Sequence, residues 1–255
     1  MLRILYERFQ QGYRTSPFPK QEPTLPDRFR GLPRLHPERC AAGCRECAQG
    51  CPFGAIREQH GALALDLGRC LFCADCHACP HGALEFSTDY RLAVRQREEL
   101  TITADRGPVL AAPLDAPLKE LFGRSFKLRQ VSAGGCNACE ADVNVLGTLV
   151  FDLGRFGIQF VASPRHADGI LVTGPVTENM REALLATYAA VPEPKVVIAT
   201  GACAINGGPF SNAPEVHNGV GDLLPVDLFI PGCPPHPYTI LDGLLRLLGR
   251  REVAD

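Results

Sequence analysis

The sequence predicts an α/β protein: a mainly parallel, doubly wound sheet over residues 126–255, preceded by a small α+β unit. Three observations carry this expectation. After residue 126, short apolar runs alternate with helical patterns, as βα repeats require. Between residues 40 and 90, eight of the twelve cysteines fall in two similar runs. Ahead of both, six prolines between Pro17 and Pro37 forbid regular helix.

The bulk numbers set bounds. The chain has 255 residues, 45% of them hydrophobic, enough to build a sizeable core. Its net charge of -2 gives no global field that would draw it to nucleic acid, so no nucleic-acid partner is expected. No apolar run approaches the length needed to cross a bilayer. The start of the chain also lacks the apolar core and small-residue cleavage site of a secretory signal.

Residues 1–39 hold eight Lys/Arg against four acids, with a short apolar start at Leu2, Ile4, Leu5, Tyr6 and Phe9. The prolines make this an expected extended arm. Such an arm cannot satisfy its own backbone groups, so it is expected to lie on a partner subunit; a disordered tail is the competing expectation.

Residues 40–90 carry the densest chemistry. The first run is Cys40-x3-Cys44-x2-Cys47-x3-Cys51-Pro52 and the second is Cys70-x2-Cys73-x2-Cys76-x2-Cys79-Pro80. Gly54-Ala55-Ile56 and Gly82-Ala83-Leu84 follow them, an internal repeat about 30 residues apart. Clustered Cys-x-x-Cys runs closing on proline point to iron–sulfur clusters. Zinc, which also takes four thiolates, is the competing chemistry. So short a segment lacks a conventional core, and metal binding becomes part of its folding energy. His77 and His81 beside the second run read as surface residues or as substitute ligands.

Residues 91–125 read as a linker, broken at Gly107-Pro108 and Ala112-Pro113. Leu114, Leu118, Leu121 and Phe122 have the spacing of one short amphipathic helix. It is expected to pack on its own domain, a contact with a membrane-embedded partner being the alternative.

Residues 126–255 give strand candidates at Phe126–Val131, Ile158–Ala162, Gly169–Thr173, Lys195–Thr200 and Val226–Ile230. Helical stripes run through Val143, Leu146, Val150 and Leu153, and through Met180, Leu184, Tyr188 and Val191 behind a Thr177 cap. A last helix opens at Pro237 with Ile240, Leu244 and Leu247 inward. Cys136, Cys203 and Cys233 each follow a predicted strand, and Cys139 lies three residues past Cys136. Doubly wound sheets place their sites outside the carboxyl ends of the strands, so these four thiols are expected to converge. Twelve cysteines at four per cluster close on three sites with none left over.

Three further features invite roles. Glu140 follows the second of these thiols at a helix start and is a candidate for a proton path. Arg165 and His166 read as a loop cap or as interface residues. Gly207-Gly208-Pro209 reads as a turn beside Cys203, since no Walker-type lysine accompanies it.

The first half resembles bacterial two-cluster ferredoxins. Carried over, that resemblance implies one [4Fe–4S] cluster on Cys40, Cys44, Cys47 and Cys79 and another on Cys51, Cys70, Cys73 and Cys76. The family spacing is x2, x2, x3, and this chain departs from it before Cys44 and before Cys79. Arg28-Phe29-Arg30-Gly31, Leu67-Gly68-Arg69-Cys70-Leu71-Phe72-Cys73 and Tyr90-Arg91-Leu92-Ala93-Val94 are similar to the ferredoxin-type subunit of formate hydrogenlyase complexes.

The second half resembles the small, cluster-carrying subunit shared by [NiFe]-hydrogenases and respiratory complex I. The matching stretches run from Ala162-Ser163-Pro164-Arg165-His166-Ala167-Asp168 through Thr173-Gly174-Pro175-Val176-Thr177 and Pro192-Glu193-Pro194-Lys195. They continue with Gly201-Ala202-Cys203 and Ile230-Pro231-Gly232-Cys233-Pro234-Pro235. What this implies is a flavodoxin-like domain with a third [4Fe–4S] cluster on Cys136, Cys139, Cys203 and Cys233. The complex I branch carries adjacent cysteines at the first pair, whereas Cys136-x2-Cys139 is the hydrogenase pattern. The resemblance therefore implies a membrane-bound, formate-hydrogenlyase-type (group 4) small subunit fused to a two-cluster ferredoxin-type subunit. Its implied partners are a [NiFe] large subunit, membrane-embedded proton-pump-like subunits, and a donor such as formate dehydrogenase or a ferredoxin. Its implied location is peripheral, on the cytoplasmic face of the inner membrane, with no catalytic centre on this chain.

Overall fold

A computed structural model describes residues 2–40, 44–59, 62–73, 76 and 81–251. Helix α1 (Leu2–Gln11) opens the chain and buries none of its residues. The expected arm is thus helical at its start. Leu2, Leu5, Tyr6 and Phe9 recur at i, i+3, i+4 and i+7, the spacing of a helical stripe, and the prolines that forbid helix begin only at Pro17. From residue 12 the chain is largely extended, and residues 16–30 lie on this chain's own second half. There the Ser16 N–H donates to the Val150 carbonyl at 2.8 Å, and Arg155 donates to the Phe18 carbonyl at 2.8 Å. Tyr238 donates to Ser16 Oγ at 2.8 Å, and the Phe18 ring is buried. Two backbone groups of the arm, the Ser16 N–H and the Phe18 carbonyl, thus find partners on this chain.

Two small antiparallel sheets follow. Strand β1 (Pro33–Leu35) precedes the short helix α2 (Glu46–Gly50), then come β2 (Ile56–Gln59), β3 (Ala62–Asp66), β4 (Leu84–Phe86) and β5 (Thr101–Thr103). Strand β1 pairs with β4, while β2, β3 and β5 form a three-stranded sheet in that order. Strand β1 lies within the expected arm and β5 within the expected linker, so both flanks join the cysteine-rich unit. Helix α3 (Ala116–Phe122) is capped by Asp115, which accepts from the Leu118 N–H at 3.4 Å. Phe122 is buried and Leu121 exposed, so this helix packs on its own domain.

The second half is the predicted α/β layer. Its elements are β6 (Phe126–Ser132), α4 (Ala138–Val145), β7 (Ile158–Phe160), β8 (Gly169–Thr173), α5 (Glu178–Ala190), β9 (Val196–Thr200), α6 (Ala202–Asn206), β10 (Leu228–Ile230) and α7 (Pro237–Leu247). The sheet order is β10-β9-β8-β6-β7, and every pairing is parallel. Counted within the sheet this is 2-1-3-4-5, the flavodoxin-like order, with its switch point between β6 and β8. Strands β8 and β9 are buried at every residue, because both faces of a parallel sheet are covered.

The two faces meet different neighbours. Val131, Ile170, Val172, Val197 and Ala199 share a core with Met180 and Leu184 of α5 and with Leu35, Ile56 and Leu65 of the first half. Leu128, Leu171, Ile198 and Ile230 share the other core with Val143, Leu146, Ile240, Leu244 and Phe18. The cysteine-rich half is therefore packed against one face of the sheet, and the arm against the other side of the layer. Two local expectations differ from the structure. Thr177 is the N-cap of α5 but its side chain makes no capping bond. Val150 is exposed, because α4 ends at Val145 and a short 3-10 turn at Leu153–Phe156 replaces the longer stripe.

Candidate metal centres

At the carboxyl ends of the parallel strands, Cys136 lies in the loop after β6 and Cys139 in the first turn of α4. Cys203 lies in α6, just past β9, and Cys233 follows β10. Backbone bonds stitch two of these loops together: Gly201 N–H donates to Ile230 O and Ala202 N–H to Gly232 O, both at 2.8 Å. Gly201 (φ +90) has room for no side chain, since a Cβ there would stand 2.6 Å from Cys139 Sγ. At Gly208 a Cβ would come within 2.7 Å of Cys203 Sγ. Two glycines thus leave the space the thiols occupy.

The thiols feel one another. Burial, then the neighbouring Cys233 and Cys136, push Cys203 up to about 12. Burial likewise lifts Cys139 far above the ordinary thiol range, helped by Cys203, Glu140, Cys233 and Cys136. Four thiols so crowded cannot ionise together unless cations compensate them. Iron bound by the four thiolates would supply that charge, so the donor set fits an iron–sulfur cluster. Each thiolate of a four-iron cluster binds its own iron, which separates the sulfurs more widely than a single ion does. Among the described residues, no three His, Cys, Asp or Glu side chains are grouped closely enough to hold one metal ion.

Glu140 is buried and accepts on one oxygen from Ser132 Oγ at 2.6 Å and Thr173 Oγ1 at 2.7 Å. Burial acts to raise its pKa, but those hydroxyls and its own backbone hold it below the usual carboxylate range. Ser132 and Thr173 are site residues that the sequence reading did not single out; their positions at the ends of β6 and β8 are the signal. Arg165 and His166 sit exposed in a short 3-10 turn between β7 and β8.

In the first half, Cys51, Cys70, Cys73 and Cys76 line one narrow cavity with Ile56, Leu65 and Phe86. This is the set the ferredoxin resemblance implied. Burial raises Cys70 to about 12 despite the Phe72 amide pointing at its sulfur, with Cys76, Cys51 and Cys73 adding to the rise. Cys76 stands at about 11, again chiefly through burial. Of the other set, Cys40, Cys44 and Cys47 are described and none of the eleven described cysteines is in a disulfide. Cys79 and His77 lie outside the described residues, and His81 is exposed.

The two halves meet at the thiols. Cys233 is raised by burial and then by both Cys136 and Cys73, one from each half. Phe72 and Cys233 border a shared cavity of about 320 Å³ with Phe29, Pro234 and His236. Arg30 donates to the carbonyls of Phe72 and Cys73 at 2.9 and 2.8 Å, pinning the second cysteine loop. The sequence marked Arg30 only by resemblance; the clamp is its structural role.

Residues 136–247 match the family described as NADH ubiquinone oxidoreductase, 20 kDa subunit. Over 133 residues the chain is 43% identical to the probable membrane-bound hydrogenase subunit mbhJ of Pyrococcus furiosus, spanning 80% of that protein and 52% of this chain. The chain belongs to this oxidoreductase family. Formate hydrogenlyase subunit 7 of Escherichia coli, another relative, is 43% identical over 141 residues, 55% of each chain. A subunit of the NADH-quinone oxidoreductase of Bacteroides thetaiotaomicron is 43% identical over 128 residues, 64% of that protein and 49% of this chain. Membership of the 20 kDa subunit family makes the chain an electron-transfer subunit of an oxidoreductase complex and implies iron–sulfur binding. The fold fits it: an α/β layer with a parallel five-stranded sheet. Among the described residues no helix is long and apolar enough to cross a membrane.

Proposed function

We propose that the chain is the electron-relay subunit of a membrane-associated hydrogenase complex of the formate-hydrogenlyase type. Its twelve cysteines would hold three [4Fe–4S] clusters. One set is Cys40, Cys44, Cys47 and Cys79, the second is Cys51, Cys70, Cys73 and Cys76, and the third is Cys136, Cys139, Cys203 and Cys233. Residues 40–90 would form the two-cluster ferredoxin-like unit and residues 126–255 the unit facing a [NiFe] large subunit, where protons are reduced. The clusters, when bound, supply one-electron redox chemistry. The chain's own part is to hold them in order, bury their thiolates and exclude water.

The observation that supports this reading is the cavity lined by both Phe72, the neighbour of Cys73, and Cys233, with Cys73 among the groups that raise the Cys233 pKa. Partners on the same reading are the large subunit, membrane-embedded pump-like subunits and an electron donor, with the chain peripheral on the cytoplasmic face. Glu140, held ionised by two hydroxyls beside Cys139, is the residue we propose for a proton path at that interface. A quinone-reducing, complex I-like role is the second reading, favoured by the identity to the NADH-quinone oxidoreductase relative. The Cys136-x2-Cys139 spacing, where that branch has adjacent cysteines, weighs against it.

The test is anaerobic purification with native partners, followed by iron, sulfide, zinc and nickel analysis and electron paramagnetic resonance. Three four-iron clusters require about twelve iron atoms per chain. Zinc with little iron would overturn the relay. Full iron with a nickel-free large subunit would keep the relay and remove the hydrogenase.

A further inference from the structure

The β2–β3–β5 sheet separates two unlike surfaces. Ile56 and Leu65 are register partners, and both line the cavity of Cys51, Cys70, Cys73 and Cys76. One residue along, Arg57 pairs with Ala64, and Ala64 with Thr103. Successive residues of a strand point to opposite faces, so this second row lies on the face away from the cavity, with Arg57 exposed and Ala64 buried between its neighbours. There the chain forms an open depression of about 650 Å³ rimmed by Arg57, Arg69, Arg97 and Arg106.

The charges in this depression do not cancel. Its lining holds four arginines against Asp66 and Glu98, a local excess of two positive charges on a chain whose net charge is -2. Asp66 is committed to Arg97 through two bonds of 2.8 and 2.9 Å, with Arg69 at 3.6 Å. Among the described residues, the Arg57 side chain donates to the Thr101 hydroxyl alone, at 3.4 Å. Arg106 is exposed, and its guanidinium has no partner among the described residues. Two guanidiniums are thus left without an anion on a concave wall, where their planar forks suit carboxylates. This wall is also close to the thiols behind it. The backbone carbonyl of Asp66 accepts from the Cys70 N–H at 3.0 Å, so one hydrogen bond joins the depression to a cysteine of the cavity.

Resting on the cluster reading of the Cys51, Cys70, Cys73 and Cys76 set, we propose that this outer face is the docking surface for an acidic iron–sulfur electron carrier. A docked carrier would stand one strand thickness from the cavity. In the exchange it loses one electron and the cluster held by those four cysteines gains it; no bond is made and no proton moves. The four guanidiniums come from four separate segments round a depression much larger than one phosphate. That spread fits a carboxylate-bearing protein surface, and opposite charges steer such encounters.

The test uses the complete native complex and a purified acidic two-cluster ferredoxin. Arg57→Ser with Arg106→Ser should slow association of the ferredoxin at low salt by about tenfold or more, the scale of electrostatic steering. The same double variant should flatten the salt dependence of that rate, and Arg57→Glu with Arg106→Glu should slow association further. Reduction of the clusters by dithionite should be unchanged in each variant, which also reports that they fold. Unchanged ferredoxin association and salt slope in the variants would overturn the proposal. So would saturable inorganic phosphate binding that depends on these arginines while ferredoxin association does not. Clusters that dithionite cannot reveal even in the unaltered chain would instead sink the relay reading.

Discussion

The two halves of this molecule solve opposite problems. In the second half, five parallel strands are buried between helices, and the cysteines ride on the loops that follow them. Remove the thiols in thought and the sheet, with Leu128, Leu171, Ile198 and Ile230 in its core, still has its reason to fold. The first half has strands of three to five residues in sheets of two and three. Its interior is shared among cysteines and a few aliphatic residues borrowed against the larger sheet. One half is a fold that positions thiols; on the proposed cluster reading, the other is a set of thiols that draws its folding energy from metal.

The sharpest way to break this comparison is to withdraw iron. Chelation under anaerobic conditions should expose residues 33–103 to protease while a fragment near residues 126–251 survives. Equal resistance of both halves would mean that the first half folds on packing alone.

Asp66→Ala comes next in size. Asp66 is buried, takes two bonds from Arg97 and accepts the Gly68 N–H at 2.9 Å. Removing it leaves a part-buried guanidinium unpaired, at a cost of roughly 3–5 kcal/mol for a buried pair. Because Asp66 also shapes the turn leading to Cys70, the loss should appear as lowered iron content as well as lowered melting temperature. Leu171→Ala strikes the other half, in a fully buried position of β8. About 2–5 kcal/mol of stability should be lost, with iron per folded chain unchanged. If Leu171→Ala depleted iron as much as Asp66→Ala, the contrast between halves would fail.

The smallest effect lies at the junction, where Asp89 binds Arg91 through bonds of 2.8 Å. Burial acts to raise the Asp89 pKa, but the Arg91 bonds win and hold it below its ordinary value of 3.8. A depressed carboxyl stabilises the fold above its unfolded pKa and loses that contribution as pH falls through the folded value. Asp89→Asn should therefore cost on the order of 1 kcal/mol near neutrality and progressively less below about pH 4. A melting-temperature difference that stays constant with pH would refute this.

How much was legible in advance follows the same division. The strands of the second half were readable within one or two residues, because fully buried parallel strands are continuous apolar runs bounded by Gly and Pro. Strands β1 and β5 were not, since Pro33-Arg34-Leu35 and Thr101-Ile102-Thr103 are too short to show a period. The convergence of Cys136, Cys139, Cys203 and Cys233 followed from strand ends, and the grouping of Cys51 with Cys70, Cys73 and Cys76 followed from the ferredoxin resemblance. The hydroxyls around Glu140, the Arg30 clamp and the arginine depression were invisible. Each joins residues from separate segments, and no local spacing records such a meeting. The helix at Leu2–Gln11 was missed: its residues read only as a short apolar start to an extended arm.

The alternation in β2 and β3 has a consequence for how this chain can change over time. Ile56 and Leu65 face the cysteines, while Arg57 and Asp66, the latter buried under its bonds to Arg97, line the depression on the other face, so the two faces of the sheet are sorted by alternate positions along each strand. One residue inserted or deleted within Ala62–Asp66 would exchange the two sets, driving charge into the cavity and aliphatic groups into water. Substitutions can explore this region one at a time, but changes of length can enter it only in pairs.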